Sequence, residues 1–165
     1  MRPSLTILVI VVAFAGCKKQ KAPNVDVAIY LLKSFATVNG NCQVNGGTAL
    51  LQDLPLANNS DIISYSPASY QYQLSDAAIQ KVKTLDERNA FAVTVDKKVI
   101  YYGLVKLNIF SSSCDHSITM DIMWASSNKI QFNLGYPGQL PGSLIDDQRN
   151  NSALVAALQA QGKLK

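Results

Sequence analysis

The chain has 165 residues, of which 48% are hydrophobic, and it carries a formal net charge of +4 at pH 7. Four of the fifteen basic residues (Arg2, Lys18, Lys19 and Lys21) precede position 22, so residues 22–165 carry eleven basic and eleven acidic side chains. A neutral domain lacks the basic face that contacts with phosphates require, which argues against a nucleic-acid-binding protein.

Residues 1–16 have the pattern of an export signal. Arg2 is followed by an uncharged apolar run from Leu5 to Ala15. This run is shorter than the roughly 20 residues that a permanent membrane-spanning helix needs. The stretch Phe14-Ala15-Gly16-Cys17 resembles the lipobox of bacterial lipoproteins, with Phe14 where Leu is usual. That resemblance implies cleavage before Cys17, acylation of Cys17 and anchoring to a membrane; the alternative is an ordinary secretory signal with a chance cysteine.

The remaining chain divides into two parts. Residues 17–24 predict a flexible tether, whose lysines would favour anionic lipid headgroups by about 1 kcal/mol each. Residues 25–165 predict a single domain, because this length suffices for one substantial core.

The first half of the domain predicts mostly strands. Val25–Phe35 fits a strand or a helix, and its shortness and the lack of a cap signal favour a strand. Thr48–Leu56 predicts one helical turn before a loop. Asp61–Tyr65 and Ser69–Leu74 predict two strands broken at Pro67.

A helix and a hairpin follow. Ser75 predicts the N-cap of a helix from Asp76 to about Arg88. Residues 91–110 alternate with a period of two, which predicts two strands joined by a tight turn near Lys97. Both sides of the second strand are apolar, which favours a central position in the sheet.

The last third predicts another hairpin and a helix. Ser111–Ser117 predicts a polar loop, followed by strands at Ile118–Trp124 and Lys129–Leu134. Residues 135–142 predict turns because they are rich in glycine and proline. A helix from about Ser152 to Gln161 is expected to end at Gly162.

Cys42 and Cys114 are the cysteines that remain after Cys17. In an exported chain they are candidates for a disulfide, which would stabilise the fold by about 4 kcal/mol in the chain-entropy model. Two buried free thiols are the alternative, because the sequence does not give the distance between their Cα atoms.

Two resemblances extend beyond the lipobox. The order strand, helix, strand, turn, strand over residues 54–105, with Phe91-Ala-Val-Thr-Val-Asp-Lys-Lys-Val-Ile100, resembles the first periplasmic domain of the SecD protein-export subunit. It differs at Lys97, where that family has Gly, so the turn is expected to be longer or bulged.

The lipobox with Lys18-Lys19, together with the segments at 61–65, 100–103, 111–114, 135–138 and 147–150, resembles small uncharacterised envelope lipoproteins of Bacteroidota-type bacteria. This second resemblance implies a location at the cell envelope, on the outer membrane, and assigns no activity.

Reactive side chains are few. His116 is the one histidine and Glu87 the one glutamate. Cys114 and His116 suggest a thiol or metal site, but the chain offers no further histidine and no Cys-x-x-Cys pair. Asp146 and Asp147 are adjacent, so in a helix or strand their side chains would point in different directions and would not converge on one site. The aromatic residues at positions 65, 70, 72, 101, 102 and 124 fit either a core or a binding surface, and the core is favoured.

Together these features predict an α+β fold with a mainly antiparallel sheet of five or six strands and two helices on one side. They predict a lipid-anchored envelope lipoprotein that serves as a non-catalytic binding or accessory module, with no catalytic residue, no metal, no cofactor and no nucleic-acid partner. The alternative is a hydrolytic or metal-dependent enzyme built on Cys114 and His116.

Overall fold

The computed structural model describes residues 25–107 and 113–165, and within these ranges it leaves out the side chain of Trp124. The elements follow in chain order as β1 (Val27–Ser34), β2 (Leu50–Leu51), β3 (Ile62–Ser66), β4 (Gln71–Leu74), α1 (Asp76–Val82), β5 (Ala90–Val95), β6 (Lys98–Lys106), β7 (Cys114–Asp121), a 3₁₀ helix (Met123–Ser127), β8 (Lys129–Tyr136) and α2 (Ser152–Ala160). None of the helices in these ranges has the length and apolarity to cross a bilayer.

The strands form one sheet in the order β2-β1-β5-β6-β7-β8-β4-β3. Strands β6 and β7 run parallel, and the other neighbours run antiparallel. The α+β class with two helices is confirmed. The prediction of a mainly antiparallel sheet of five or six strands is wrong, because eight strands form a mixed sheet and β6–β7 pairing requires a contact that local patterns do not encode.

Two apolar clusters lie on the two faces of the sheet. The larger cluster contains the inward residues of both helices, including Ile79 and Leu158, with Phe91 and Val93 of β5. The smaller cluster contains Ala90 and Ala92, which alternate with those two β5 residues. The helices therefore cover one face, and the smaller cluster fills part of the other.

Gly103 lets three central strands approach closely. It lies opposite Phe91 of β5 and Ile118 of β7. A Cβ atom placed on Gly103 would lie 2.3 Å from the Phe91 ring and 2.5 Å from the carbonyl oxygen of Ile118. The Phe91 ring therefore occupies the space that a side chain at position 103 would need.

Both helices begin with a side-chain cap. The Ser75 hydroxyl accepts a hydrogen bond from the backbone N–H of Ala78, which confirms the predicted N-cap of α1. Helix α1 ends at Val82 rather than near Arg88, since the Asp86 and Asn89 side chains hold the following residues in turns.

Helix α2 is capped by Asn151, which the sequence did not single out. Its side chain accepts from the N–H of Ala153. At the other end Gly162 has φ +69°, and Lys163 N–H donates to the Leu158 carbonyl, so the predicted stop is confirmed.

The central hairpin has a tight turn with unusual residues. Val95 pairs with Lys98, and both Asp96 and Lys97 have positive φ, at 49° and 64°. The turn itself therefore has two residues, and the irregularity in the ladder lies between Val93 and Thr94. Asp96 is held by hydrogen bonds with the backbone of Asp26, which offset the cost of the left-handed conformation.

Other local predictions need correction. The helical turn expected at Thr48–Leu56 is wrong, since β2 lies there and pairs with β1. The polar loop expected at Ser111–Ser117 is wrong from Cys114 onward, because β7 starts at that residue. The strand expected at Val25–Phe35 is confirmed as β1.

The outer edge of β3 is partly covered by the end of the chain. Tyr65 N–H donates to the Lys163 carbonyl, and Lys165 N–H donates to the Tyr65 carbonyl. These two bonds use the backbone groups that an edge strand would otherwise leave open.

We expect Gly103→Ala to lower the free energy of unfolding by about 3 kcal/mol, the upper part of the usual range for overpacking. The added methyl group collides with the Phe91 ring and with a backbone oxygen that cannot move freely. Urea unfolding followed by fluorescence measures the change.

Gly138→Ala is the matched control, because a Cβ atom there meets nothing within 4 Å. A Gly103→Ala protein that unfolds at the same urea concentration as the control would contradict this account of the central strands.

Candidate functional site

A disulfide ties the segment after β1 to the start of β7. Cys42 and Cys114 are bonded, with their Cα atoms 5.2 Å apart, inside the range that a disulfide requires. Of the two alternatives that the sequence left open, the bridge is confirmed. The sulfur of Cys114 is therefore available neither as a nucleophile nor as a metal ligand while the bridge is closed.

The bridge pins a small hairpin, residues 36–49, over the smaller apolar cluster; we call it the covering loop. Val38 N–H donates to the Gln43 carbonyl, and Asn45 N–H donates to the Ala36 carbonyl. Val44 is buried within the cluster. Gly46 lies so close to the Tyr102 ring that a Cβ atom would be 3.0 Å from it, so the loop rests directly on β6.

A cleft opens beside this loop, where β6 and β7 separate. Their parallel pairing starts at Gly103 and Ile118 and continues toward Asp121. The residues of β6 before Gly103 and the residues of β7 before Ile118 do not pair with each other. The cleft has a volume of about 180 Å³. It is bordered by Tyr101, Tyr102, His116, Ser117, the covering loop and the segment 145–148.

The rim of the cleft carries polar groups. His116 Nδ1 lies 2.6 Å from Asp115 Oδ1, with both side chains about two-fifths exposed. This hydrogen bond keeps the pKa of the Asp115 carboxyl below its ordinary value. On the opposite side, Gln148 Nε2 donates to Asp146 Oδ1 at 2.8 Å. The Tyr102 ring and the polar rim suit the cleft to a small group such as a partner's side chain, because its volume is below the roughly 300 Å³ of the smallest usual ligand pockets.

The other predicted site residues are dispersed. Cys17 and the first two serines of Ser111–Ser113 lie outside the described residues. Glu87 lies 3.8 Å from Lys106, far along β6 from the cleft. Within residues 25–107 and 113–165, no three His, Cys, Asp or Glu side chains are grouped as metal ligands would be.

Three of the predicted aromatics belong to the core. Tyr65, Tyr72 and Tyr101 are buried, and Tyr72 contacts Phe132 edge-on with ring centroids 5.2 Å apart. Burial raises the pKa of all three tyrosines well above its ordinary value. Tyr65 is further fixed by its hydroxyl, which lies 2.7 Å from Asn150 Oδ1 and 2.9 Å from the Arg149 carbonyl oxygen.

Arg149 is a buried cation whose role the sequence did not reveal. Asp147 accepts from its Nε and Nη2, each at 2.8 Å, while its Nη1 donates to the Phe132 carbonyl at 3.0 Å. Its guanidinium also lies 3.5 Å from the centre of the Tyr70 ring. Just before β4 begins, at Tyr70, Arg149 thus supplies the donor that a further strand residue would have given to β8. In the sequence, only the spacing of Asp147 and Arg149, two residues apart, could have indicated this ion pair.

Comparisons of the chain with protein-family models, with curated proteins and with solved structures found no match. The resemblances drawn from the sequence therefore stay predictions.

We expect Cys42→Ala/Cys114→Ala to lower the free energy of unfolding by about 4 kcal/mol, as the chain-entropy model gives for this separation. The bridge spans 72 positions, so its loss frees a large loop in the unfolded chain. Urea unfolding of the variant and the parent, each with and without reductant, measures the effect.

Reductant should destabilise the parent and leave the double variant unchanged, which separates loss of the bridge from other effects of the reductant. Labelling of Cys42 and Cys114 by a thiol reagent in the unfolded, unreduced parent would show that the bridge is absent and would contradict the expectation.

We expect stability to fall in acid partly through Asp147. The hydrogen bonds from Arg149 hold the pKa of the Asp147 carboxyl below its ordinary value of 3.8. Its stabilising contribution is therefore complete above the unfolded-state pKa and is lost as the pH falls through the lower folded-state pKa. Asp147→Asn should be less stable than the parent at neutral pH, and the difference should shrink below about pH 4.

Urea midpoints measured across this pH range test the expectation, with the exposed Asp53→Asn as the matched control. A stability difference between parent and Asp147→Asn that stays constant with pH would contradict it.

Proposed function

We propose that this chain is exported, cleaved before Cys17 and anchored by lipid at Cys17 to the cell envelope, at the outer membrane. Its folded part then acts as a non-catalytic binding or accessory module. The observation that carries the proposal is the Cys42–Cys114 bridge behind an export-type segment, because disulfides persist in oxidising compartments.

The tether suits this arrangement physically. A single acyl chain binds a bilayer only marginally, so stable anchoring needs a second chain or a basic patch. Lys18, Lys19 and Lys21 lie within four residues of Cys17 and offer such a patch. The rest of the chain is neutral, so attraction to anionic headgroups would act on the tether and leave the domain free to face a partner.

The cleft supports a binding role for the domain. It combines an aromatic wall from Tyr102 with polar groups at the rim, and the disulfide fixes the loop on one of its sides. Such a site, largely formed in advance, holds a ligand without the entropy cost of ordering a loop.

The alternative is a hydrolytic or metal-dependent enzyme using Cys114 and His116. It would need a free thiolate, because the thiolate is the form that attacks or binds metal. The bridge occupies that sulfur, and Asp115 engages one ring nitrogen of His116. The closed bridge favours the binding role over an enzyme that uses Cys114.

We expect bacteria fed an alkyne-tagged fatty acid to label the parent protein and leave Cys17→Ser unlabelled, since the acyl chain attaches at that residue. The parent should fractionate with outer membranes, while the variant should be released from them. In-gel detection of the tag and immunoblots of the fractions measure this.

The matched control is Cys42→Ala/Cys114→Ala, which keeps Cys17 and should still be labelled. Recovery of the parent without a fatty acid, or with residues 1–16 still attached, would contradict the anchoring. Turnover of an ester or peptide substrate that is lost in His116→Ala would contradict the non-catalytic role.

A further inference from the structure

The cleft beside the covering loop has apolar walls. Val44, Ile100, Ile118 and Ile145 border it. Val44 and Ile118 are buried, whereas Ile100 and Ile145 are half-buried. A group that enters the cleft therefore contacts hydrocarbon as well as the polar groups of the rim.

Two carboxylates at the rim each keep an oxygen available. Asp146 borders the cleft, and its Oδ1 accepts from Gln148 Nε2. Asp115 adjoins the cleft through His116, whose Nδ1 lies beside Asp115 Oδ1. Within the part of the chain that the structure describes, the Oδ2 atoms of both aspartates have no partner. Both carboxylates can therefore accept further hydrogen bonds.

No lysine or arginine of this chain balances these carboxylates at the cleft. None of the described residues that border it is a lysine or an arginine. Arg149 follows in the chain, but Asp147 already engages it. The other basic side chain at the rim, His116, is directed through Nδ1 to Asp115. The cleft therefore presents negative charge to a partner.

A buried hydroxyl and an aromatic ring border the same space. Ser117 is 5% exposed, and its hydroxyl forms no hydrogen bond to another described residue. A hydroxyl oxygen accepts a hydrogen bond from a donor that enters the cleft. Tyr102 is half-buried, and the face of an aromatic ring attracts a cation.

We infer that the cleft binds a lysine or arginine side chain of a partner protein. Such a side chain combines an apolar stem with a cationic head that donates hydrogen bonds and accepts none. The stem suits the isoleucine walls, and the head suits the free carboxylate oxygens, the Ser117 hydroxyl and the Tyr102 ring. The volume of about 180 Å³ holds one side chain rather than a larger ligand.

Other side chains fit the cleft less well. An apolar side chain would cover the acidic rim without pairing with it, and covering an unpaired charge is costly. An acidic side chain would meet charges of its own sign. The inference rests on the binding role proposed above and names the chemistry of the partner.

The test follows His116 by NMR while short peptides are added to the purified full chain in detergent, without a histidine tag. His116 is the one histidine of the chain and borders the cleft, so its ring protons report on this site. We expect Gly-Lys-Gly or Gly-Arg-Gly, blocked at both ends, to shift these signals saturably at constant pH. Higher salt should weaken the binding, because it screens exposed charges.

Asp146→Asn should weaken binding of the cationic peptide about threefold, since an ion pair at an exposed site contributes little. The matched control is Asp53→Asn, which removes an exposed carboxylate that does not border the cleft and should bind like the parent. Urea unfolding verifies that both variants are folded.

Absence of a saturable shift with both cationic peptides would overturn the inference, as would equal binding of Gly-norleucine-Gly or Gly-Glu-Gly. An Asp146→Asn protein that binds the peptide as tightly as Asp53→Asn would also overturn it. Failure of the proposed function is seen elsewhere, as loss of labelling at Cys17 or as turnover that depends on His116. A failed titration of a protein that is labelled at Cys17 would remove the cationic partner and leave the anchoring intact.

Discussion

The packing of the Phe91 ring onto the bare backbone of Gly103 holds the middle of the sheet together. Phe91 lies on β5, Gly103 on β6, and Ile118 of the parallel strand β7 completes the contact from the other side. From Phe91 the aromatic rings continue through Phe132 to Tyr72, with centroids 5.1 and 5.2 Å apart. One run of rings therefore connects the centre of the sheet to its far half, and the two helices close over it.

The opposite face of the sheet is built on different chemistry. Near β1, β5 and β6 a modest apolar cluster is covered by a loop that a covalent bridge holds in place. Toward β3 and β4 the same face becomes polar, with glutamine and serine side chains in register. The division between these halves falls close to the parallel pair β6 and β7, where these strands also separate to open the cleft. The cleft thus arises from this mixed topology.

Local patterns in the sequence predicted the elements that depend mainly on residues close to each other in the chain. The period of two around Phe91 gave the central hairpin, and Ser75 marked the start of α1, because a strand face and a helix cap depend on neighbouring residues. The start of β7 was missed since Asp115, His116 and Ser117 are polar, and a strand beside an open cleft can carry polar residues. The β6–β7 pairing and the closure of Cys42 onto Cys114 depend on distances between remote segments. The pairing of β4 with β8 was not predicted either, because alternation in residues 69–74 does not show which strand is the partner.

The tail that lies along β3 has a consequence for proteins held close together on a surface. Lys163 and Lys165 occupy the backbone groups of Tyr65 that would otherwise accept a strand from a neighbouring molecule. Crowding at any surface raises the chance that such edges meet. Residues 163–165 therefore block edge-to-edge pairing at Tyr65, and a purification tag fused behind Lys165 would have to leave these two hydrogen bonds undisturbed.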